Sequence, residues 1–318
     1  MLRRRVWRLL IMKETNYFPY AFFEGKIVLT KEAKISIMTN ALQYGIGVFG
    51  GIRGYVSANK KTVNIFRIDD HYSRLLKSLR ILNKSIKYDK QKLKEITFEL
   101  ARKNQPTTDC YFRPFAYATD YFISPDLYPL NFEFALYIVP LGEYLSVSRG
   151  LKLLISNWVR INDNMIPSRA KITGGYINSS LAKGDAVRLG FDDALMLTQD
   201  GHLAEGSGAN FFMVRDGKLI TSPCYADVLE GITRRTIIEL AHDLKNPVEE
   251  RHIDRTEVYI ADEAFLTGTG AQVAWISEVD VRKIGDGKMG SSTGKIQKLF
   301  FDIVRGKEKR YFQWLTKV

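Results

Sequence analysis

Short apolar runs alternate with turn residues in the first part of the chain. Residues 20–24 and 27–29 form one pair of runs, and residues 51–56 and 62–67 form another. An apolar run that returns after a short polar loop is typical of two antiparallel strands. The pattern therefore predicts two β-hairpins before residue 68.

Two amphipathic helices are predicted next. Apolar residues recur every three or four positions in two successive segments, and the second segment ends before Pro106. Asp69 or Asp70 is expected to cap the first helix, because a short acidic side chain can accept hydrogen bonds from free backbone amides. The recurring positions are Leu75, Leu76, Leu79 and Leu82 in the first helix and Leu93, Ile96, Leu100 and Ala101 in the second.

The rest of the pattern divides the chain into two α+β domains with mixed sheets and flanking helices. Residues 142–150 are rich in serine and glycine, which is typical of a linker. The predicted domains are residues 17–141 and 151–318, preceded by a disordered extension at residues 1–16. The other predicted elements are strands at 110–118, 132–140, 151–159 and 194–198, a loop at 120–129, helices at 178–189 and 232–244, and a hairpin at 211–221.

Composition and charge narrow the class of protein. Of the 318 residues, 45% are hydrophobic and 26% are charged, which is typical of a folded globular chain and excludes a disordered one. The 47 basic and 35 acidic residues give a net charge of +12, so a nucleic-acid-binding protein without catalysis is one alternative. The basic excess is dispersed, and we expect no nucleic-acid partner. The one local cluster is Arg3, Arg4, Arg5 and Arg8.

The N-terminal sequence and the cysteines indicate the cellular compartment. Arg8 interrupts the N-terminal apolar stretch, which is shorter than the roughly 7 to 15 residues of a secretory signal. No segment approaches the roughly 20 apolar residues of a membrane helix. Cys110 and Cys224 are too few for a disulfide framework, which indicates a reducing compartment, the cytoplasm. The sequence leaves open whether Met1 or Met12 is the physiological start.

Glycine clusters are the first candidates for a binding site. Residues 45–50 match the dinucleotide-binding fingerprint, but the residues that follow resemble a strand, whereas that motif requires a helix. Gly231 precedes the predicted helix at 232, whose free amides suit a phosphate group, although these residues alone favour an ordinary helix start. Glu205 stands beside further glycines, which would let the backbone approach a flat ligand closely, although on its own Glu205 favours a solvated turn.

Residues of the common cofactor-free catalytic sets are missing. The four histidines form no metal-binding motif, and there is no nucleophile elbow, so we expect no metal. Lysine, tyrosine and arginine near glycine-rich loops indicate that a bound cofactor performs the difficult step.

Residues 168–181, SRAKITGGYINSSL, resemble the lysine region of the class IV (fold-type IV) pyridoxal-phosphate aminotransferases. The resemblance runs from about Tyr17 to Val318 and is closest to the branched-chain amino acid aminotransferases. It implies a two-domain α+β fold of the D-amino acid aminotransferase type. The other matching segments, in family order, are 44–45, 49–53, Arg74, 111–114, Tyr144, 205–210, 230–234 and 267–270.

The resemblance assigns cofactor roles to particular residues. Lys171 would bind pyridoxal 5'-phosphate covalently and carry the α-proton of the substrate, which requires a lysine with a lowered pKa. Glu205 would pair with the pyridine nitrogen, and Tyr176 would hydrogen-bond the phenolic oxygen. The phosphate would be held by Arg74, by the backbone amides of Ile232 and Thr233, and by the hydroxyl of Thr269.

The same resemblance implies a substrate pocket and a homodimer. The amides of Thr269 and Gly270, assisted by Tyr111, would bind the α-carboxylate. The implied reaction moves an amino group from Leu, Ile or Val to 2-oxoglutarate in two ping-pong half-reactions. In the homodimer, residues 120–129 would close over the neighbouring subunit's site. Phe49, Tyr44 and Tyr144 would hold the branched side chain, and Arg113 would bind the distal carboxylate of glutamate.

Departures from the family pattern leave the substrate less defined than the cofactor. Gly50 stands where the family usually has an acid, and Gly270 and Gln272 replace residues that are more often Ala and Glu. The alternatives of the same fold are a D-amino acid or (R)-amine transaminase and an aminodeoxychorismate lyase. Arg113 and residues 51–53 argue against them. The sequence leaves open the preferred branched-chain substrate, assembly beyond a dimer and the biosynthetic or catabolic direction.

Overall fold

The computed structural model describes residues 16–318, so the predicted extension at residues 1–16 lies outside the described residues except for Asn16. These residues form two β-sheets with flanking helices, and none of their helices is long and apolar enough to cross a membrane. The strands, β1 to β17, are Tyr20–Phe23, Lys26–Leu29, Gly47–Phe49, Ile52–Val56, Val63–Phe66, Cys110–Ala118, Phe132–Pro140, Leu151–Ile155, Asp193–Leu197, Leu203–Gly206, Asn210–Arg215, Lys218–Thr221, Val248–Glu250, Glu263–Gly268, Gln272–Val279, Arg282–Lys283 and Leu315–Lys317.

Within residues 16–318, six α-helices and three short 3₁₀ segments accompany these strands. The predicted amphipathic segments all form helices, within two residues of the expected bounds where bounds were given. The helices, α1 to α6, are Asn40–Tyr44, Ile68–Ile81, Lys90–Asn104, Tyr176–Arg188, Ile232–Asp243 and Ser291–Val304, and the 3₁₀ segments are Thr30–Glu32, Arg255–Ile260 and Lys309–Trp314.

The first sheet contains both predicted hairpins. Its strand order is β17-β5-β4-β6-β7-β1-β2, with β3 paired to β6, and the pairings are antiparallel. β6 and β7 occupy the predicted ranges and pair along their whole length, from Cys110 opposite Pro140 to Ala118 opposite Phe132. Gly50 is followed by β4 rather than by a helix, as expected for a chain without the dinucleotide-binding turn.

The second sheet carries the mixed pairing predicted for this fold. Its order is β10-β9-β8-β15-β14-β11-β12-β13, with β16 paired to β15. β8 is parallel to both β9 and β15, and β12 is parallel to β13, whereas the other pairs are antiparallel. β8 ends at Ile155, four residues earlier than predicted.

The last strand of the chain returns to the first sheet. β17 pairs antiparallel with β5, with Leu315 opposite Phe66. The predicted division into residues 17–141 and 151–318 does not anticipate this pairing and stays a prediction. A further set of apolar contacts joins the two sheets, because Tyr55 and Phe66 pack edge-on against Phe300 of α6 at ring distances of 6.4 and 5.7 Å.

The expected cap of α2 is wrong. The helix begins at Ile68, so Asp69 and Asp70 lie inside its first turn, and the capping position is Arg67 with φ of 48° and no side-chain cap. Acidic residues in a first turn still interact favourably with the positive end of the helix dipole. Asp70 also pairs with Arg67 at 3.1 Å and with Arg235 of α5 at 2.6 Å.

Candidate active site

A cavity of about 650 Å³ is lined by strands and helices of both halves of the chain. Its volume is in the range of small-molecule sites, and polar groups converge on it from several separate elements. The predicted site residues that line it are Phe49, Arg74, Tyr111, Arg113, Tyr144, Lys171, Tyr176, Glu205, Ile232, Thr233, Thr269 and Gly270.

The backbone next to Lys171 is joined to β3 by an isolated antiparallel bridge between Ile172 and Val48. The Lys171 carbonyl accepts a hydrogen bond from the Phe49 amide at 3.0 Å, and its amide donates to Ser78 Oγ of α2 at 3.2 Å. The two chain segments approach closely at Gly45, whose φ is 66°, since a Cβ there would lie 2.8 Å from Gly174 Cα. The lysine is therefore fixed by both the first sheet and α2.

The Lys171 amine lies against two aromatic rings at the centre of the cavity. Its Nζ lies 5.0 Å from the centre of the Phe49 ring and forms a hydrogen bond with the Tyr176 hydroxyl. Desolvation, followed by the positive charges of Arg74 and Arg113, holds the pKa of Lys171 well below its ordinary value. A lowered pKa leaves the amine neutral, which is the nucleophilic form.

Glu205 lies on β10 with its carboxylate almost fully buried. Oε1 lies 3.0 Å from Arg160 Nη2, and Oε2 accepts a hydrogen bond from Asn210 Nδ2 at 2.8 Å. The Leu229 amide donates to the same carboxylate at 3.3 Å. Burial raises the pKa of Glu205, while Arg160 and the Leu229 amide act in the opposite direction. The carboxylate has roughly four acceptor sites, so it retains capacity for another donor.

Sequence analysis missed Arg160 and the role of Asn210. Arg160 lies in the irregular segment after β8 and also donates from Nε to the Asp227 carbonyl at 3.2 Å. Asn210 links Glu205 to the segment before α5, because its Nδ2 also donates to the Leu229 carbonyl at 2.9 Å. Asn210 belongs to a segment that the sequence had singled out, residues 205–210, whereas Arg160 belongs to none, and no spacing rule connects either one to Glu205.

The N-terminus of α5 opens toward the same cavity. Gly231 is the capping residue and offers no side-chain cap, so the first amides of the helix lack a side-chain acceptor. A Cβ on Gly231 would come within 2.0 Å of Asn210 Oδ1, which explains the need for glycine. Arg74 of α2 reaches this helix end, and its Nη1 lies 3.3 Å from the Glu230 carbonyl oxygen. The arrangement concentrates positive charge where a phosphate could bind.

An aromatic wall with a stacked arginine forms the opposite side. The Arg113 guanidinium lies 4.7 Å from the centre of the Phe49 ring and 5.0 Å from that of Tyr111. Burial raises the pKa of the Tyr111 hydroxyl, which keeps it protonated and able to donate a hydrogen bond. Gly51 makes room for this ring, since a Cβ there would overlap the Tyr111 hydroxyl at 1.8 Å.

The turn between β14 and β15 brings Thr269 and Gly270 to the rim of the cavity. A Cβ on Gly270 would lie 3.2 Å from Tyr144 Cδ1, so the substitution of glycine for alanine leaves space beside this ring. Tyr144 belongs to the predicted linker, and its hydroxyl accepts a hydrogen bond from Lys183 Nζ at 2.9 Å. Arg53, which is almost fully buried, donates to the carbonyls of Leu141 at 2.9 Å and Gly270 at 3.4 Å.

Two residues discussed in the sequence lie outside the wall of the cavity of a single chain, Tyr44 and Gly50. Tyr44 does not line the cavity, because it is the last residue of α1 and its side chain is exposed. Gly50 does not border the cavity either. It packs against Pro114, and a Cβ on Gly50 would come within 2.7 Å of Pro114 Cγ. The loss of an acid at Gly50 therefore does not enlarge the cavity directly.

Comparisons with known proteins agree with this geometry. The model of the family described as amino-transferase class IV matches residues 47–279. A probable branched-chain-amino-acid aminotransferase from Aquifex aeolicus is 46% identical over 308 residues, which cover 96% of this chain and 99% of that protein.

Solved structures give the same family. A branched-chain aminotransferase from Thermoproteus uzoniensis, solved with norvaline, superposes with a TM-score of 0.91 at 40% identity over 94% of this chain and 99% of that one. The branched-chain amino acid aminotransferase from Thermobaculum terrenum, solved in its PLP-bound holo-form, gives a TM-score of 0.88 at 35% identity over 95% and 98%. The chain therefore belongs to the class IV aminotransferase family of pyridoxal-phosphate-dependent transaminases.

Proposed function

We propose that this transaminase transfers the amino group of branched-chain L-amino acids to 2-oxoglutarate, giving branched 2-oxo acids and L-glutamate. The observation that carries the proposal is the pairing of an aromatic wall with one stacked guanidinium, that of Arg113 over Phe49. An apolar wall suits Leu, Ile or Val, and the guanidinium suits the distal carboxylate of glutamate. The related enzymes are described as branched-chain aminotransferases, which supports the same substrates.

The residues present fit pyridoxal 5'-phosphate at both ends. The uncapped amides of Ile232 and Thr233, together with Arg74, would hold the phosphate, with the Thr269 hydroxyl nearby. Glu205 would hold the protonated ring nitrogen with its remaining acceptor capacity. When bound, the cofactor supplies a conjugated ring that withdraws electrons from the substrate Cα.

Lys171 is the catalytic residue of the proposal. As a neutral amine, its Nζ can attack the carbonyl carbon of the cofactor. When it is not bonded to the cofactor, the free amine can take the proton from the substrate Cα and return it to another carbon. The Tyr176 hydroxyl, which is hydrogen-bonded to that amine, would orient it and then donate to the phenolic oxygen of the cofactor. Arg160 and Asn210 would act as positioning residues, because both hold the Glu205 carboxylate.

Substrate orientation is assigned to the rim of the cavity. The amides of Thr269 and Gly270, with the protonated Tyr111 hydroxyl, would bind the α-carboxylate. Phe49 and Tyr144 would then face the aliphatic side chain, which excludes water from the reacting carbon.

We also propose a homodimer, with an exposed apolar surface as its interface. Residues 35–44 and 121–123 are held together by Asn40, whose amide donates to the Asp120 carbonyl and whose side chain bonds the backbone of Phe122. A large contiguous apolar surface is typical of protein interfaces. The exposed residues of this 35–44/121–123 patch are Ile35, Ile37, Met38, Leu42, Tyr44, Tyr121, Phe122 and Ile123.

The proposed dimer gives the loop at residues 120–129 a role, which is to close over the neighbouring subunit's site. We assign the enzyme to the cytoplasm, since both cysteines, Cys110 and Cys224, are free thiols.

The visible absorption spectrum of the purified, cofactor-loaded protein tests the reaction. The long-wavelength band should bleach on addition of L-leucine and return with 2-oxoglutarate, and Lys171→Ala should fail to cycle. A band that responds to D-alanine or to aminodeoxychorismate but not to L-leucine would favour the D-amino acid transaminase or lyase alternatives. A wild-type protein without any band after reconstitution would contradict the assignment of the cofactor site.

A further inference from the structure

Arg67 links α2 and α5, the two helices that carry groups of the proposed phosphate site. It immediately precedes α2, two turns before Arg74, and its guanidinium is almost fully buried. Nη2 donates to both carboxylate oxygens of Glu239 at 2.9 Å, and Nη1 donates to Thr236 Oγ1 at 2.7 Å. Both partners lie on α5, so one arginine joins the helix that carries Arg74 to the helix with the open N-terminus.

Thr236 continues this contact toward the end of α5. The residue is fully buried, and its hydroxyl donates to the Ile232 carbonyl at 2.9 Å. A hydroxyl has a single proton to donate, so Oγ1 accepts from Arg67 and donates to Ile232. Guanidinium, hydroxyl and carbonyl therefore form one directed chain of hydrogen bonds.

The chain ends on the peptide group that faces the proposed phosphate. The carbonyl of Ile232 belongs to the same peptide unit as the amide of Thr233. In an α-helix this N–H points to the N-terminus, and in the first turn it has no partner within the helix. Hydrogen bonds in a chain polarise one another, more strongly where water is excluded, so donation to the carbonyl makes the amide a stronger donor.

We propose that Arg67 and Thr236 form a relay that strengthens phosphate binding at the N-terminus of α5. The inference rests on the proposed cofactor site. Both are positioning residues, since neither lines the cavity. Asp70 and Glu239 hold the charged end of the relay, with Arg235 paired to both at 2.6 and 3.5 Å, and the Trp314 ring covers the guanidinium at 4.3 Å.

The relay is tested by removing one hydroxyl. Thr236→Val keeps the shape of the side chain but interrupts the series of hydrogen bonds from Arg67 to Ile232, whereas Thr236→Ser retains the hydroxyl. Thr97→Val is the matched control, because Thr97 is also fully buried and donates to a carbonyl four residues earlier, that of Leu93, on α3. Dissociation constants of the cofactor-free protein are measured by absorbance titration with pyridoxal phosphate and with pyridoxal, which lacks the phosphate.

Thr236→Val is expected to weaken pyridoxal phosphate binding by about fivefold, the effect of one modest hydrogen bond, and to leave pyridoxal binding unchanged. Thr236→Ser and Thr97→Val should keep the wild-type ratio of the two constants within about twofold. If Thr236→Val does not fold, Thr236→Ala removes the same hydroxyl without adding volume and is held to the same expectation.

Two results would overturn the relay. Equal weakening of pyridoxal and pyridoxal phosphate binding in Thr236→Val would indicate a structural role for Thr236, and wild-type dissociation constants for both ligands in that variant would remove any role in phosphate binding. Failure of the proposed site is distinguishable from these outcomes, because the wild-type protein itself would then bind pyridoxal and pyridoxal phosphate equally.

Discussion

The chemistry proposed for Lys171 depends on the charges that surround it. Desolvation and the cations Arg74 and Arg113 lower the pKa of Lys171, and the charge of Glu205 acts in the other direction with a smaller effect. A lysine in bulk water has a pKa near 10.4 and is almost wholly protonated at neutral pH. The cavity therefore supplies the neutral amine without a dedicated base.

Arg113→Gln should shift the pH dependence of the Lys171 amine. Removing a positive charge stabilises the ammonium form, so the lysine pKa rises and the neutral fraction at pH 7 falls. The measurement is the rate at which cofactor-free protein reacts with pyridoxal as a function of pH, and the acid limb should move to higher pH. Arg149→Gln is the control, because Arg149 is exposed and pairs with Asp192, and it should leave the acid limb in place. An acid limb that stays or moves downward would refute the electrostatic account.

Glu205→Gln should lower both the stability of the protein and its kcat. The substitution leaves the buried Arg160 without a counter-charge, which costs about 3 kcal/mol in urea unfolding. It also replaces a charge-assisted bond to the cofactor ring, and kcat should fall by at least about tenfold.

The matched control is Glu257→Gln. Glu257 is also shielded and accepts hydrogen bonds from Arg215 and Arg251, but it does not line the cavity. It should lose stability while kcat stays within about twofold of wild type. Similar losses of kcat in both variants would show that Glu205 acts only through the fold.

At the scale of elements, the site is assembled where helix and strand ends meet. The N-terminus of α5, the end of β10 and the turn after β14 reach the cavity from the second sheet, while β3, β6 and α2 reach it from the first. Asn210 connects two of these ends, since one amide group bonds both Glu205 and the Leu229 carbonyl. A shift of the segment before α5 is therefore coupled to the carboxylate at the far end of the proposed cofactor.

Gly231→Ala should disturb both ends of the cofactor site at once. The new Cβ would overlap Asn210 Oδ1 at 2.0 Å, so the amide has to leave its partners or the segment before α5 has to move. We expect pyridoxal phosphate affinity to fall by at least about tenfold, measured by absorbance titration, because a buried donor is left unpaired.

Gly184→Ala in α4 is the control for Gly231→Ala. A Cβ there meets nothing within 4 Å, so alanine should stabilise the helix by about 0.5 to 1 kcal/mol and leave cofactor affinity unchanged. A Gly231→Ala protein with wild-type affinity would contradict the tight packing described at this position.

At the scale of the molecule, the folded chain leaves the apolar 35–44/121–123 patch uncovered. Its members include Ile37 and Ile123, which are 82% and 85% exposed. Burial of such side chains stabilises an interface by about 1.5 to 3 kcal/mol each. The cost of leaving them in water favours association of two copies.

Ile37→Asp combined with Ile123→Asp should dissociate the dimer. Two carboxylates within an apolar interface would have to be desolvated, which costs several kcal/mol. The molar mass in solution, measured by light scattering after size exclusion, should fall by half. Val281→Asp is the control, since Val281 is 79% exposed in the turn between β15 and β16, and the substitution should leave the mass unchanged. A wild-type protein that is monomeric at micromolar concentration would contradict the proposal directly.

Much of the fold could be predicted from the spacing of apolar residues. The hairpins, α2, α3, β6, β7 and α5 have strong periodicity or turn residues at their ends, which local sequence encodes. The cap at Arg67 could not be predicted, because the contacts that hold this residue in a left-handed conformation come from α5 and from Trp314. The pairing of β17 with β5 is equally non-local.

The candidate site likewise contains some residues that local sequence identifies and others that it does not. Residues within the family's short motifs, such as Lys171, Tyr176 and Glu205, could be found from local sequence. Arg160 and the relay residue Thr236 could not, because each matters only through a partner far away in the chain. Tyr44 does not line the cavity of one chain, and its contact with the substrate side chain stays a prediction.

The strand pairing at the end of the chain has a consequence for biosynthesis. β5 leaves the ribosome long before β17, so one edge of the first sheet stays unpaired while nearly all of the second half is translated. Unpaired strand edges are sites of aggregation, and Val63 and Ile65 on β5 are apolar. The nascent protein therefore exposes an apolar strand edge until β17 has been synthesised, and the Trp314 carbonyl that accepts a hydrogen bond from the Arg67 amide also arrives only then.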